Sequence, residues 1–315
     1  MELEVCILGS SSALPMVHRH PTAQFVTLAS RHFLVDCGEG TQVQLRRNRI
    51  GFARVNHIFV SHLHGDHYFG LLPLLSTLHL LDRQKEVHLY CPAELKEVLE
   101  NHMKLSGIWF RFSIVYHLHQ KNGKQLAYED DKVQVHTFPV KHSVDCWGFL
   151  FSEKKRERSI NKEALERYSI PVAELRGIKK GADWVNEAGE TIPNETLSRS
   201  GPPELSYAYC TDTAPLESLS NFLSAPDLLY HESTFLEEHA KRAKQTHHST
   251  AKQAAQIAEK VKAKYLLLGH YSTRYLKLAP LLEEAQAVFE HSVLSEENHV
   301  YKLKAGQGQL TIEKV

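Results

Sequence analysis

Short apolar runs separated by polar turns recur along this chain. Glu4–Leu8, Gln24–Thr27, His32–Asp36, Val55–Val60 and Val87–Cys91 are four to six residues long and rich in strand formers, which predicts strands. Helices are expected between them. Phe69–Leu81 repeats Leu and carries Pro73 in its first turns, and Pro92–His102 opens on Pro and continues in good helix formers. Val133–Phe138 alternates as a half-buried strand does, and Cys146–Phe151 reads as its partner across a turn holding His142. The rhythm resumes with strands at Leu205–Cys210, Leu228–Tyr230 and Tyr265–Gly269. An Ala-rich helix is expected before the last of these, from Ser249 to Ala263, with Ser249 or Thr250 as its N-cap. Alternating strands and helices of this kind predict an α/β fold.

Polar residues cluster where these runs end. His62, His64, Asp66 and His67 follow Val55–Val60, His142 borders two strands, Asp212 follows Leu205–Cys210, His231-Glu232 follows Leu228–Tyr230, and His270 follows Tyr265–Gly269. Several sheet edges converging on one cleft would produce this pattern. His62-Leu-His-Gly-Asp-His67 concentrates three imidazoles and a carboxylate in six positions, where their polar atoms would repel or go unpaired without a cation. A single histidine at a strand end is usually a satisfied polar residue, but this cluster is a metal site. Nitrogen and carboxylate donors suit a catalytic zinc that keeps a position open for water.

From Ser152 to Glu204 the character changes. The interval is charged, holds Gly177, Gly181, Gly189 and Gly201, and has few apolar runs, so it reads as a mobile insertion in a single domain spanning 1–315, with the inserted arm at 153–203. Overall composition narrows the function less. With 37 basic and 37 acidic residues there is no general basic excess, so any nucleic-acid site must be local. Glu153–Lys180 supplies one such excess, through Lys154, Lys155, Arg156, Arg158, Lys162, Arg167, Arg176, Lys179 and Lys180 against five glutamates. The run Arg46-Arg47-Asn48-Arg49 reads either as a phosphate contact or, more economically, as a polar helix end. Five scattered cysteines in apolar surroundings read as buried reduced thiols. An acidic N-terminus and the lack of any membrane-length apolar stretch suggest a cytoplasmic protein with no membrane partner.

Taken in order, Leu8-Gly9, Asp36-Cys-Gly-Glu-Gly-Thr-Gln42, His62 to His67, His142 before Trp147-Gly148-Phe149, Asp212, His231-Glu-Ser-Thr-Phe235, His248-Ser-Thr250 and His270 resemble the metallo-β-lactamase superfamily. Within it, the chain is similar to the short-form ribonuclease Z family of tRNA 3′-processing endonucleases. The resemblance implies a four-layer αβ/βα sandwich with a protruding exosite-like arm. It implies two zinc ions per subunit, with manganese or iron as substitutes. One would sit on His62, His64, His142 and Asp212, the other on Asp66, His67, Asp212 and His270, Asp212 bridging them. Asp66 would orient the attacking water, and His248, polarised by Glu232, would protonate the leaving 3′ oxygen. It further implies precursor tRNA as substrate, a homodimer and no nucleotide cofactor. Two departures from the family pattern stand out, Ile170-Pro-Val-Ala173 at the arm's tip and His20 where a related loop ends in Asn. For Asp36 a supporting task is expected, holding a metal-bound imidazole by its other nitrogen. Rival readings are a small-molecule phosphodiesterase or lactonase of the same fold, and a non-enzymatic RNA-binding scaffold.

Overall fold

The computed structural model describes residues 2–315. They form two compact units, one made of residues 2–153 with 205–315, the other of Lys154–Glu204. In the larger unit, eight strands lie side by side in the order Leu310–Lys314, His299–Lys304, Glu2–Gly9, Ala23–Leu28, Arg31–Val35, His57–Phe59, Val87–Cys91 and Ile114–Leu118. A second sheet of seven runs Ser292–Leu294, Tyr265–Gly269, Leu228–Glu232, Ser206–Cys210, Cys146–Glu153, Val133–Val140 and Gln125–Glu129.

Alternate residues of each strand enter different cores, because successive side chains of a strand point to opposite faces. Leu3, Val5, Ile7, Phe33 and Phe59 meet Phe149, Phe151, Tyr207, Tyr209 and Tyr230 in a core between the sheets. Their neighbours Cys6, Leu8, Leu34, Ile58 and Val60 pack outward with helices Leu71–Leu80 and Ala93–Ser106. On the other side, Ala208, Cys210, Leu229, Leu266 and Leu268 pack with Ala251, Ala254, Ala255 and Ala258 of helix Ala251–Lys260. Sheets buried on both faces therefore read as continuous apolar runs, and the layers are helix, sheet, sheet, helix. Phe59 stacks on Tyr90 at 4.1 Å between ring centroids, and Tyr209 on Tyr230 at 5.0 Å.

The strands from Arg31 to Leu118 pair in parallel, and so do those from Ser206 to Leu294. Parallel strands bring their carboxyl ends to one edge, where open α/β sheets place their ligands. The Trp147 N–H donates to the Ser61 carbonyl at 3.1 Å, tying the two sheets together beside that edge.

Some sequence expectations need correction. The helix expected over Phe69–Leu81 runs from Leu71 to Leu80, and a separate helical turn, Gly65–Tyr68, precedes it. Gly70 donates to the Cys37 carbonyl at 2.9 Å, and a Cβ there would stand 2.0 Å from the Gly38 oxygen. The strand expected to stop at Tyr230 continues to Glu232, since His231 and Glu232 pair with Leu268 and Gly269. The N-cap of the Ala-rich helix is Thr250, not Ser249, and the helix ends at Lys260. Ile114–Leu118, Gln125–Glu129 and the two C-terminal strands, with mixed polar and apolar residues, gave no clear signal.

All five cysteines are buried and unbridged. Among the described residues no helix is long and apolar enough to cross a membrane.

The smaller unit has a core of its own. Ala164, Ile170, Ile178, Trp184, Ile192 and Leu197 converge from helices Lys162–Tyr168 and Leu175–Lys179, two short ladders and the loops between them. Asn194 clamps this unit, donating to the Ile178 and Ala182 carbonyls at 2.8 and 2.6 Å. Spaced singly, these apolar residues left no run to read.

Thr250 accepts from the Gln253 N–H while Gln253 accepts from the Thr250 N–H, a complete capping box. Thr250→Ala should lower unfolding free energy by about 1 kcal/mol. Urea melts would show this as a lower midpoint at unchanged slope.

Candidate metal centre

Each sequence-predicted ligand stands at or just beyond a strand's carboxyl end. Asp36, Asp212 and His270 adopt left-handed backbone angles, with φ of 55°, 48° and 57°. Asp and His are enriched among the few non-glycine residues found there, a conformation that costs about 1–3 kcal/mol. That turn sends each side chain into the cleft instead of along the sheet face.

The ligand atoms fall into groups within 4.8 Å of one another: His62, His64, His142 and Asp212 in one, Asp66, His67 and His270 in another, and Asp212, His248 and His270 in a third. Asp212 faces two ways. Its Oδ2 lies 3.6 Å from His62 Nε2 and 3.7 Å from His142 Nε2, while Oδ1 lies 3.2 Å from His67 Nε2 and 3.0 Å from His270 Nε2. Asp66 Oδ2 stands 3.4 and 3.5 Å from the last two nitrogens and accepts the Ala13 N–H at 2.7 Å.

Hydrogen bonds on the far side of each ring fix which nitrogen faces inward. His67 Nδ1 donates to Asp36 at 2.7 Å. The Nδ1 atoms of His62 and His270 donate at 3.0 Å to the hydroxyls of Ser61 and Thr234, which pass the bond on to Asp36 and Glu232. His142 Nδ1 donates to the His247 carbonyl at 3.2 Å. Asp36 also receives the Ser61 N–H and the Tyr209 hydroxyl, both at 2.7 Å.

These inward nitrogens test whether a cation fits. Nε2 of His62, His67 and His270 is buried and has no hydrogen-bond partner, although carboxylate oxygens lie close by. His142 Nε2 and His64 Nδ1 face each other at 3.1 Å. Lone pairs aimed at shared points and carboxylates between them suit a divalent cation, and this donor set accommodates zinc, manganese or iron.

Protonation tendencies agree. Burial, with His67 alongside, pushes His62 well below its ordinary value, so its ring stays neutral. Burial would raise Asp212, but His270, His67 and His62 hold it well below the carboxylate range. Asp66 is likewise held low by His67 and His270 against the upward push of burial. Burial lowers His67, but Asp212, Asp66 and Asp36 together raise it above its ordinary value, a preference for a proton with which a cation would compete.

Beside the donors stands a second pair. Glu232 is buried and accepts from His248 Nδ1 at 2.7 Å, from the Thr213 N–H at 2.8 Å and from the Thr234 hydroxyl at 2.5 Å. Burial works against the His248 imidazolium, but Glu232 outweighs it and raises the pKa to about 9. His248, with Glu232 behind it, lines a cavity of about 440 Å³ together with His64, Asp66, His142, Asp212 and His270. The geometry thus brings together every residue singled out from the sequence as ligand or proton carrier.

Comparison with known proteins sets this site in a family. The chain is 44% identical over 297 residues to a ribonuclease Z of Bacteroides thetaiotaomicron, covering 94% of both chains. With a ribonuclease Z of Parabacteroides distasonis it shares 45% over 296 residues, 94% of this chain and 97% of the relative. The chain belongs to the ribonuclease Z family. A family model described as anti-Pycsar protein Apyc1 matches residues 3–156, which stops short of Asp212, Glu232, His248 and His270. The fold is shared with human tRNase Z, short form, at a TM-score of 0.68 and 24% identity, covering 94% of this chain and 98% of that one. It is shared too with a metallo-β-lactamase fold protein of Bacillus subtilis, at 0.69 and 16%, covering 96% and 100%. The αβ/βα sandwich is therefore the family's fold.

Several residues at the site had escaped the sequence reading. Ser61, Thr234 and Tyr209 orient ligands, and Arg242 and Arg274 add two cations to the cavity wall. The Arg274 guanidinium lies 5.1 Å from the centroid of the Phe235 ring. Ser61 and Thr234 adjoin recognised motifs, which was the available signal; the arginines had none.

The Asp36 contact to His67 predicts a metal-affinity effect. Asp36→Asn should weaken divalent-metal binding about 10–100-fold, read by zinc-competition titration. Unchanged affinity would show that the contact does not orient the ligand.

Proposed function

We infer that this protein is a metal-dependent endoribonuclease that removes the 3′ trailer of precursor tRNA, leaving a 3′-hydroxyl on the tRNA and a 5′-phosphate on the trailer. The observation that carries this reading is that His248, backed by the buried Glu232, lines the same cavity as the imidazole and carboxylate donors. Cleaving a phosphodiester requires an activated water and a proton for the departing oxygen, and the two groups of residues divide these tasks.

We propose zinc as the cation, two per subunit, one held by His62, His64, His142 and Asp212 and the other by Asp66, His67, Asp212 and His270. Bound there, they would supply water activation and neutralise charge on the scissile phosphate. Asp66, ionised and anchored by the Ala13 N–H, orients the water and accepts its proton. His248 is protonated at neutral pH. With Nδ1 committed to Glu232, its Nε2 is left to donate to the departing 3′ oxygen. Arg242 and Arg274 stand where neighbouring phosphates would lie.

The Lys154–Glu204 unit is the proposed tRNA grip, a separately inserted part of one catalytic domain. A cleft of about 510 Å³ within it is lined by Lys155, Arg156, Arg158, Lys179 and Lys180, with Glu157 and Glu204 as its acids. We further propose a cytoplasmic homodimer in which this unit of one subunit holds tRNA for the other's catalytic cavity.

Precursor tRNA with a 3′ extension should be cut just after the discriminator base. His248→Ala should lower kcat about 10²–10⁴-fold at retained metal content. For the acid role, the active form is the imidazolium, so the rate falls as pH rises through its pKa. Glu232→Gln removes the charge that raises this pKa, so the alkaline fall should move to lower pH in a pH–rate profile. A profile that stays in place would remove His248 from the acid role. Glu153 N–H donates to the Leu205 carbonyl at 2.9 Å, so a short linker can replace residues 154–204. That variant should lose tRNA processing while still hydrolysing a small chromogenic phosphodiester; retained processing would remove the grip from this unit.

A further inference from the structure

One charged surface of the larger unit takes no part in the chemistry above. Between Leu45 and Val55 the chain alternates anchors and cations. Leu45 and Val55 are buried, Ile50 and Phe52 pack against the same core, and Asn48 is buried with its amide on the Gln44 carbonyl at 2.9 Å. Arg46, Arg47, Arg49 and Arg54 point the other way and are exposed. None of the four forms an ion pair or a side-chain hydrogen bond among the described residues; Arg46 instead lies 5.5 Å from the centroid of the Phe52 ring.

The cluster extends across the surface. Gly51, Phe52 and Ala53 share a pocket with Leu78, Leu81, Arg83 and Lys85. The Arg83 guanidinium is held by the Asn56 side chain and the Glu86 carbonyl at 2.7 and 2.8 Å. The adjoining carboxylates are already engaged, Asp82 by Arg111 and Glu86 by His88.

Helix Thr41–Arg47 explains only part of this. Arg46 and Arg47 sit in its last turn, where cations complement the helix dipole, but that field fades within one turn and does not account for Arg49 or Arg54. Unneutralised like charges repel one another, so their grouping on ordered anchors calls for an anionic counterpart. The helix also starts near the chemistry. Cys37, just before it, donates to the His67 carbonyl at 2.8 Å, and seven helical residues carry the chain roughly 10 Å further.

We propose that Arg46, Arg47, Arg49 and Arg54, with Lys85, form a phosphate-contact surface for the RNA substrate on the catalytic unit, additional to the inserted unit. This assignment rests on RNA being the substrate. Arginine forks match phosphate oxygens, and the half-exposed Phe52 ring offers a stacking face beside them. Contacts of this type position a substrate without reading its sequence.

The test compares wild type with a quadruple Arg→Gln variant at 46, 47, 49 and 54 and the matching quadruple Arg→Lys variant. A fluorescent 3′-extended precursor tRNA is titrated with each metal-loaded protein between 50 and 200 mM salt. Each lost phosphate contact should flatten the plot of log affinity against log salt by about 0.7–0.9, so the Gln variant should lose roughly 2–4 from the slope and bind tenfold or more weakly at low salt. The Lys variant should keep most of the slope. Hydrolysis of a small chromogenic phosphodiester and the melting curve should match wild type in both.

An unchanged slope and affinity in the Gln variant would overturn the proposal. So would an equal loss in the Lys variant, which would mark a structural role. A changed sedimentation coefficient of the Gln variant without RNA would assign the surface to subunit contact instead. Wild type that neither binds nor cuts the tRNA would remove the substrate reading itself, a result distinct from normal cutting with an unaltered slope.

Discussion

The Asp212 carboxylate is the group on which the rest of this structure depends. It is buried among imidazoles, one oxygen toward His62 and His142 and the other toward His67 and His270. A buried carboxylate is costly unless compensated, and the three rings of His62, His67 and His270, whose inward nitrogens have no hydrogen-bond partner, are costly too. Divalent cations resolve both costs at once. The carboxylates around His67 raise its preference for a proton, so cation binding there would compete with protonation.

Ring orientation is what makes this arrangement specific. The rings of His62, His67, His142 and His270 are held by their outer nitrogens, and two small residues, Ser61 and Thr234, relay that hold to the carboxylates of Asp36 and Glu232. Glu232 therefore serves two functions: it steadies His270 through Thr234 and charges His248 directly. The candidate ligand shell and the proposed proton donor share one buried carboxylate, which couples their positions. Doubly buried sheets supply the rigidity, since the aromatic core between them fixes the strand ends from which Asp36, Asp212 and His270 turn inward.

Substrate handling is organised differently. The metal donors and the Glu232–His248 pair are gathered in one cleft of a chain with no net charge, whereas the cations proposed to meet RNA are in the inserted unit and along Arg46–Arg54. Buried charges need fixed partners, but phosphate contacts tolerate exposure and gain from counterion release. This separation explains how equal numbers of acids and bases are compatible with RNA binding.

Much of the architecture could be read from the chain because doubly buried parallel strands leave continuous apolar runs, and because metal ligands are chemically conspicuous at their ends. His62 to His67 announced a metal site by composition alone. Segments with weaker patterns were not legible: the core of the inserted unit is assembled from singly spaced residues such as Ile178, Trp184 and Leu197, and the C-terminal strands mix polar with apolar positions. Ser61, Thr234, Tyr209, Arg242 and Arg274 become site residues only through contacts made across tens to hundreds of positions in the chain. The sequence by itself determined the fold class and the donor set, since local periodicity and residue chemistry are properties of short stretches. Tertiary structure alone decided which nitrogen each histidine presents, which oxygen of Asp212 faces which group, and that Glu232 meets His248, because these follow from backbone turns and long-range hydrogen bonds that no local pattern encodes.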